Sequence, residues 1–316
     1  MHVLPFEKPV ADLCDRVRAL RVAAERDTSL EGELAQLEAE VRRLAKSTFG
    51  ELTPHQKVQL SRHPNRPYTL DYVKRFISGF IELHGDRRFG DDASIVAGLG
   101  TFQGRNVAVI GHQKGRGTKE NMKRNFGMPH PEGYRKAIRL YELADRFNLP
   151  ILTFIDTPGA YPGIGAEERG QSEAIGAALA TLARVRVPVI ASIIGEGGSG
   201  GALALGVANR VLVLEFGCYS VISPEGCAAI LWKDGGRAEE AAARLKMTAT
   251  DLLSLGVVDE ILEEPPGGAH QDPDAAASRL EASLAKHLGE LEALGAGGLP
   301  ADRYKRFRSL GAHVEL

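Results

Sequence analysis

Residues 188 to 208 constrain the fold more than any other stretch. An apolar run, Pro188-Val189-Ile190-Ala191-Ser192-Ile193-Ile194, leads into Gly195-Glu196-Gly197-Gly198-Ser199-Gly200-Gly201, and an Ala/Leu-rich segment follows from Ala202 to Ala208. The first part has the composition of a buried strand, the last that of a helix start. A glycine-rich turn between them presents backbone N–H groups at a helix N-terminus with no side chains in front of them. Such a turn is a ready site for an anion or a developing oxyanion.

The pattern around it is an alternation of strands and helices. Ser94–Leu99 and Asn106–His112 read as strands joined by a turn at Gln103-Gly104, and Gly133–Phe147 as a helix. Pro150–Asp156 reads as a strand, Gln171–Arg184 as a helix, Pro188–Ile194 as a strand and Gly201–Asn209 as a helix. Arg210–Glu215 and Tyr219–Ile222 follow as strands, then helix Thr248–Ser254 and strand Gly256–Ile261. Short apolar strands separated by helices predict an α/β fold with a mostly parallel sheet covered on both faces. A second glycine-rich turn, Asp156-Thr157-Pro158-Gly159-Ala160-Tyr161-Pro162-Gly163, also leaves a strand end, so both turns are expected to face one crevice.

The expected divisions are an N-terminal helical hairpin at 1–50, a connector at 51–93, a core at 94–264, and a C-terminal helix and tail at 265–316. In the hairpin, Val10, Leu13, Val17 and Leu20, then Leu30, Leu34, Leu37, Val41 and Leu44, fall at helical spacing. This stripe fits packing on its own domain or on a partner subunit. In the connector, His63-Pro64-Asn65-Arg66-Pro67 excludes regular structure, and a short helix is expected from Thr69 or Leu70 to about Leu83. The final helix is expected at Ala275–Leu294, with a basic tail at Arg303–Arg308.

Composition excludes several classes. A net charge of −2 does not suggest a nucleic-acid binder. No apolar run approaches the ~20 residues of a membrane span, and no signal-peptide core is visible. Three cysteines, Cys14, Cys218 and Cys227, support neither a disulfide framework nor a four-cysteine zinc site. A cytoplasmic protein with no metal of its own is expected.

Three chemistries compete for the glycine run. Phosphate or dinucleotide binding is one: Gly195, Gly197 and Gly200 fit G-x-G-x-x-G with Glu215 downstream, but the chain has no Gly-Lys pair for a P-loop. Nucleophilic catalysis is another, because Gly197-Gly198-Ser199-Gly200-Gly201 fits a G-x-S-x-G elbow. Asp234, Asp251 or Asp259 would then be the acid and His270, His287 or His313 the base, while the plainer role for Ser199 is a helix N-cap. The remaining chemistry is an oxyanion hole built from backbone amides alone.

The two glycine turns do not stand alone. Asn125-Phe126-Gly127-Met128-Pro129, Pro131-Glu132-Gly133-Tyr134-Arg135-Lys136-Ala137 and Ser220-Val221-Ile222-Ser223-Pro224-Glu225-Gly226-Cys227-Ala228 accompany them. Together these blocks resemble the biotin-dependent carboxyltransferases, within them the bacterial acetyl-coenzyme A carboxylase carboxyltransferase alpha-subunit family, from about Phe6 to Tyr304. The resemblance implies a crotonase-like spiral of ββα units. It implies transfer of a carboxyl group from carboxybiotin, carried on a separate biotin carboxyl carrier protein, to acetyl-CoA, giving malonyl-CoA for fatty acid synthesis. It implies that Gly200 and Gly201 donate amides to the biotin ureido oxygen, after which the freed biotin nitrogen removes a methyl proton. Gly159, Tyr161, Gly163 and Gly198 are then candidates for contact with biotin or substrate. It also implies a beta-subunit partner in an α₂β₂ assembly that carries the zinc, and a separate biotin carboxylase that alone uses ATP.

The basic stretch Lys114, Arg116, Lys119, Lys123, Arg124, Arg135, Lys136 and Arg139 reads either as a solvated face or as an attractor for CoA or carboxybiotin. Lys114 and Arg116 are the preferred binders, since they lie just past a strand end. Arg169 fits an exposed ion pair or a substrate contact. His112 fits a hydrogen bond within its strand better than a base. Glu196 and Glu225 are expected to orient loop amides.

Overall fold

The protein is seen in a computed structural model that describes residues 2–311, so His313 lies outside the described residues. The chain opens with α1 (Lys8–Ala24) and α2 (Glu31–Gly50), a hairpin. Val10, Val17 and Val41 of the apolar stripe are buried. Phe49 joins Val10, Leu52, Leu60 and Phe216 in a small cluster, so the hairpin packs on its own domain.

The 51–93 segment is more structured than its composition suggests. Helix α3 (Pro54–Ser61) starts on a capping box between Thr53 and Gln56 with proline at its first position. Helix α4 (Thr69–Phe76) is shorter than the expected helix ending near Leu83, because β1 (Ser78–Glu82) follows at once. β1 pairs antiparallel with β2 (Ile95–Phe102), which pairs antiparallel with β3 (Arg105–His112). Backbone pairing with β2 decides these residues, and period-3.6 reading alone does not register it.

Beyond β3 the chain alternates as expected. It runs through α5 (Thr118–Lys123), α6 (Pro131–Phe147), β4 (Ile151–Thr157), α7 (Ile164–Glu168), α8 (Gln171–Arg184), β5 (Val189–Gly198) and α9 (Ser199–Gly206). Then come β6 (Arg210–Leu214), β7 (Cys218–Ser220), α10 (Pro224–Trp232), α11 (Ala238–Leu245), α12 (Ala249–Ser254) and β8 (Glu260–Leu262). Helices α13 (Pro273–Glu292) and α14 (Gly295–Arg308) close the described chain. The sheet order is β1-β2-β3-β4-β5-β6-β8, with β7 pairing the far end of β5. The ladders from β3 onward are parallel.

The expected strands Tyr219–Ile222 and Gly256–Ile261 are found at Cys218–Ser220 and Glu260–Leu262. Gly256 lies outside β8 in a turn at φ +69°, a conformation that suits glycine. Helix α10 starts on Ser223, whose side chain accepts from Gly226 N–H at 3.0 Å, with Pro224 next in line. That Ser-Pro start was a readable signal for a helix the strand-and-helix pattern did not include.

Two apolar layers sandwich the sheet. On one face Tyr134, Leu140, Ala178, Leu182 and Leu205 pack on Ile110, Ile155 and Ile193. On the other, Tyr72, Phe76, Leu280, Leu284 and Leu288 pack on Phe102, Phe154 and Ile190. Arg303–Arg308 is not a tail but the end of α14: Arg303 is buried, donating to the carbonyls of Leu182, Val185 and Val187 and to Asn209 Oδ1. It satisfies carbonyls at the end of α8 that no helical bond reaches.

Candidate active site

The parallel pairing of β4 with β5 puts the carboxyl ends of both strands on one side, with Thr157 opposite Gly197. The two glycine turns therefore meet, backbone against backbone. A Cβ at Gly198 would lie 2.1 Å from Pro158 O, and one at Gly201 would lie 2.6 Å from Ala160 N and 2.6 Å from the Gly159 carbonyl carbon. A Cβ at Gly200 would meet only Ile175 side-chain atoms at 3.5 Å, an ordinary contact. Gly198 and Gly201 are thus glycine because two backbones touch there, and Gly200 leaves its surroundings open.

Helix α9 begins at Ser199 with Gly198 as its cap and no side-chain capping bond. Its first N–H groups, including those of Gly200 and Gly201, have no intrahelical partner. Ser199 is therefore not the N-cap. It is exposed and sits at φ +52°, a strained strand-to-helix corner. That is the backbone of an elbow without its base, for no described histidine hydrogen-bonds Ser199. The expected triad partners are spent elsewhere. Asp251 caps α12 with Thr248, Asp259 pairs with Arg306, and Asp234 caps a turn at Gly236. His287 pairs with Glu260 at 2.6 Å and His270 with Glu7 at 3.0 Å.

In the first turn, Thr157 Oγ1 accepts from Gly159 N–H at 3.0 Å, and Gly159 has φ +151°. Tyr161 is locked: its N–H donates to Pro129 O at 3.0 Å, its carbonyl accepts from Gln171 at 2.9 Å, and its ring lies 4.1 Å from the His130 ring. Gly163 is glycine because a Cβ would sit 2.4 Å from the Tyr161 ring. Gly159, Tyr161, Gly163, Gly198, Gly200 and Gly201 are thus brought into one neighbourhood.

Lys114 and Arg116 are not free to meet an anion. Lys114 Nζ donates to Asp156 Oδ1 at 2.7 Å and to Glu196 Oε1 at 2.9 Å, with little of the lysine side chain exposed. Burial works against its charge, but the two carboxylates hold the ammonium protonated well above the lysine range. Burial alone would raise Glu196, yet Lys114 and Arg62 keep it below the ordinary glutamate range. Asp156 is lifted above the aspartate range by burial, against the pull of Lys114. Arg116 donates to Asp71 at 2.6 Å and to the carbonyls of Pro64 and Arg66, over the Tyr68 ring. Spacing along the chain does not reveal these partners, because Lys114 to Glu196 spans 82 residues.

Of the rest of the basic stretch, Lys119 and Lys123 are exposed with no ion pair among the described residues, and the others are engaged within the fold. Lys136 is buried on Asp91 at 2.7 Å, Arg124 pairs with Glu120, and Arg139 donates to the carbonyls of Leu83 and His84. Arg169 holds Glu132 with two bonds, at 2.7 and 3.1 Å. Two arginines that sequence reasoning passed over matter more. Arg66, fully buried, pairs with Glu264 and donates to Ile194 O within β5. Arg62 donates to both Glu196 and Glu225.

Three buried groups gather under α1: Glu7, His63 and His270, with ligand-type atoms within 4.8 Å of one another. His63 Nδ1 accepts from Asn65 N–H at 3.2 Å, so Nε2 carries the proton and faces His2 O at 3.1 Å. A protonated nitrogen is a donor, and the group is a hydrogen-bonded tie between three segments. Burial pushes His63 down to about 4, with His270 adding to the shift, and burial pushes His112 down to about 3. Both rings are neutral when folded and take protons more readily when unfolded. Stability is therefore whole above about pH 6.5, the ordinary histidine value, and is lost as pH falls from there toward 4. The urea midpoint is expected to fall between pH 7 and pH 5, as stability drops by at most about 1.4 kcal/mol per pH unit for each ring. A midpoint that stays constant over that interval refutes the assignment.

Among the described residues no helix is long and apolar enough to cross a membrane. Exposed apolar side chains lie next to the first turn at Ile164, 78% exposed, just past β7 at Val221, 75%, and in the last turn of α10 at Ile230 and Leu231, 63% each.

Residues 3–311 match the family described as acetyl co-enzyme A carboxylase carboxyltransferase-like. The chain is 72% identical over 312 residues to the acetyl-coenzyme A carboxylase carboxyl transferase subunit alpha of Sorangium cellulosum, covering 99% of this chain and 98% of that one. It is 57% identical over 313 residues to the subunit of the same name from Thermus thermophilus, with 99% of each chain covered. Among solved structures it resembles a Pseudomonas malonate decarboxylase hetero-tetramer in complex with coenzyme A, at TM-score 0.60 and 22% identity, covering 76% of this chain and 95% of that one. It also resembles transcarboxylase 12S, at TM-score 0.54 and 19% identity, over 69% of this chain and 42% of that one. These two likenesses bear on the fold, which is the crotonase-like α/β architecture.

Proposed function

This chain belongs to the acetyl-coenzyme A carboxylase carboxyltransferase family, in its alpha-subunit branch, and on that premise we propose how its site works. The activity is carboxyl transfer to acetyl-CoA from carboxybiotin, giving malonyl-CoA for fatty acid synthesis. In our reading the N–H groups of Gly200 and Gly201 receive the charged oxygen, and Gly159, Gly198 and the Tyr161 ring border the same crevice. The carrying observation is the uncapped start of α9, held against the 158–160 backbone by Gly198 and Gly201.

The residues present fit a flat ureido ring, because a Cβ at Gly200 would occupy space that only Ile175 approaches. When bound, biotin supplies the transferable carboxyl group and an oxygen that gains negative charge as that group leaves. The chain's own part is to aim fixed amide dipoles at that oxygen at no reorganisation cost. Gly163 leaves room for the Tyr161 ring, and Lys114 holds Asp156 and Glu196 behind the turns. Lys114 and Arg116 enter as internal supports, not as anion binders.

We further propose that the beta subunit supplies the other half of the site and the zinc, in an α₂β₂ assembly. The biotin arrives on a separate carrier protein, loaded by a biotin carboxylase that alone spends ATP. The assembly works in the cytoplasm, without membrane or nucleic acid. The exposed Ile164, Val221, Ile230 and Leu231 support a covered face beside the turns.

The test is co-expression with the zinc-bearing subunit and assay of biotin-dependent malonyl-CoA decarboxylation. Full activity from this chain alone would sink the shared site. Ser199→Ala is expected to keep turnover within about threefold, since its hydroxyl has no base; a loss of the 10⁴-fold order typical of a missing nucleophile would favour a hydrolase.

A further inference from the structure

We infer that Arg62 is a positioning residue for carboxyl transfer: it sets the glycine turn, through Glu196, against the start of α10, through Glu225. The inference rests on the functional reading above and adds a residue that neither glycine motif contains. Arg62 is the C-cap of α3, immediately after Ser61. Its Nε donates to Glu196 Oε2 at 2.8 Å, its Nη1 to Glu225 Oε1 at 2.9 Å and its Nη2 to Glu225 Oε2 at 3.5 Å. One guanidinium thus grips two carboxylates on two different elements, which a planar fork does and a point charge does not.

Glu196 is the residue through which the grip reaches the turn. Its Oε1 is held by Lys114, and its own N–H donates to Asp156 Oδ1 at 3.2 Å. The carboxylate is thereby fixed on both oxygens, and the backbone leading to Gly198 and Gly200 is fixed with it. Arg62, Pro158, Glu196, Gly198, Ser220 and Ser223 line one small cavity where the turns and the start of α10 meet. Arg62 lines this cavity with three of its N–H donors engaged on the two carboxylates.

The charges point the same way. Asp156, Glu196 and Glu225 against Lys114 and Arg62 leave one formal negative charge behind the turn. Neutralising Arg62 would leave two, close to amides that must accept negative charge as the carboxyl group leaves. That opposes the transition state more than the bound substrate, so the loss falls on kcat. Displacement of the turn adds to it, because errors of about 1 Å cost on the order of 10²-fold.

The experiment uses the complex with the beta subunit and measures kcat and KM for biotin-dependent malonyl-CoA decarboxylation, together with Tm. Arg62→Gln is expected to lower kcat about 10- to 100-fold with KM within about threefold. Arg62→Lys, which keeps the charge and loses the fork, is expected to recover part of kcat. Glu225→Gln is expected to lower kcat less than Arg62→Gln, and the double variant to fall short of the product of the single losses. A merely structural residue would lower Tm and leave kcat per folded enzyme unchanged; that result overturns the inference. Multiplicative losses in the double variant overturn the link to Glu225, and Glu225→Gln keeps that link testable should Arg62→Gln fail to fold. If Arg62→Gln matches an active wild type, the inference falls alone; an inactive wild-type complex overturns the functional reading and this assignment with it.

Discussion

Gly201→Val is expected to lower turnover of the assembled enzyme by at least about 10³-fold, the larger end of the loss for one oxyanion donor. The reason is contact between backbones. A Cβ at Gly201 would lie 2.6 Å from Ala160 N and from the Gly159 carbonyl carbon, and 3.1 Å from Gly159 Cα. None of these is the tip of a flexible side chain, so the two turns must part. Parting them moves the Gly200 and Gly201 amides away from a shared target even though both N–H groups remain. Gly200→Ala separates this from packing. Its Cβ meets only Ile175 at 3.5 Å, and alanine favours the first turn of α9, so stability is expected to hold or rise slightly. Turnover should still fall if the substrate lies on that backbone. Steady-state kinetics and thermal melts on both variants decide the matter. Wild-type turnover in Gly201→Val would remove the amide site altogether.

Lys114→Met is expected to be the most destabilising single change on the site. It leaves Asp156 and Glu196, both shielded from water, without the ammonium at 2.7 and 2.9 Å. Breaking a buried ion pair by removing one partner costs roughly 3–5 kcal/mol. For a chain of this size that corresponds to a Tm loss of roughly 5–8 °C. Protonation limits the damage at lower pH. Burial already lifts Asp156 above the aspartate range, and losing the lysine lifts it further, so in the variant it takes up a proton more readily as the pH falls. The deficit should therefore be largest near pH 8 and shrink toward pH 5.5. Melts at both pH values check this; a Tm within about 1 °C of wild type at pH 8 would show that the lysine is dispensable.

Much of the architecture is legible along the chain. The buried strands β4 and β5 are near-continuous apolar runs, and the helices around them carry apolar faces at regular spacing. Residues 69–83 are not legible in the same way. Helix α4 passes into β1 with no proline or glycine before Ser78, and only pairing with β2 makes Ser78–Glu82 a strand. Residues 303–308 read as a basic tail because arginine is ordinarily solvated. Arg303 is instead buried, since four acceptors meet its guanidinium at the end of α8 and at Asn209.

The site divides along the same line. Its glycine turns, their place at strand ends and the family they resemble are sequence properties, because they depend on residues adjacent in the chain. Why each glycine is there is not. Gly198 and Gly201 answer to the backbone at 158–160, Gly163 to the ring of Tyr161, and Gly200 to no close neighbour, since a Cβ there would meet only Ile175 at 3.5 Å. The charges follow the same rule. A run of lysines and arginines predicts attraction for anions, but a cation's role depends on which carboxylate the fold brings to it. Glu196 lies 82 residues from Lys114 and 134 from Arg62, and Glu225 lies 163 from Arg62. Local sequence thus determined what the turn is made of, and long-range packing decided which amides are open and which charges hold them still.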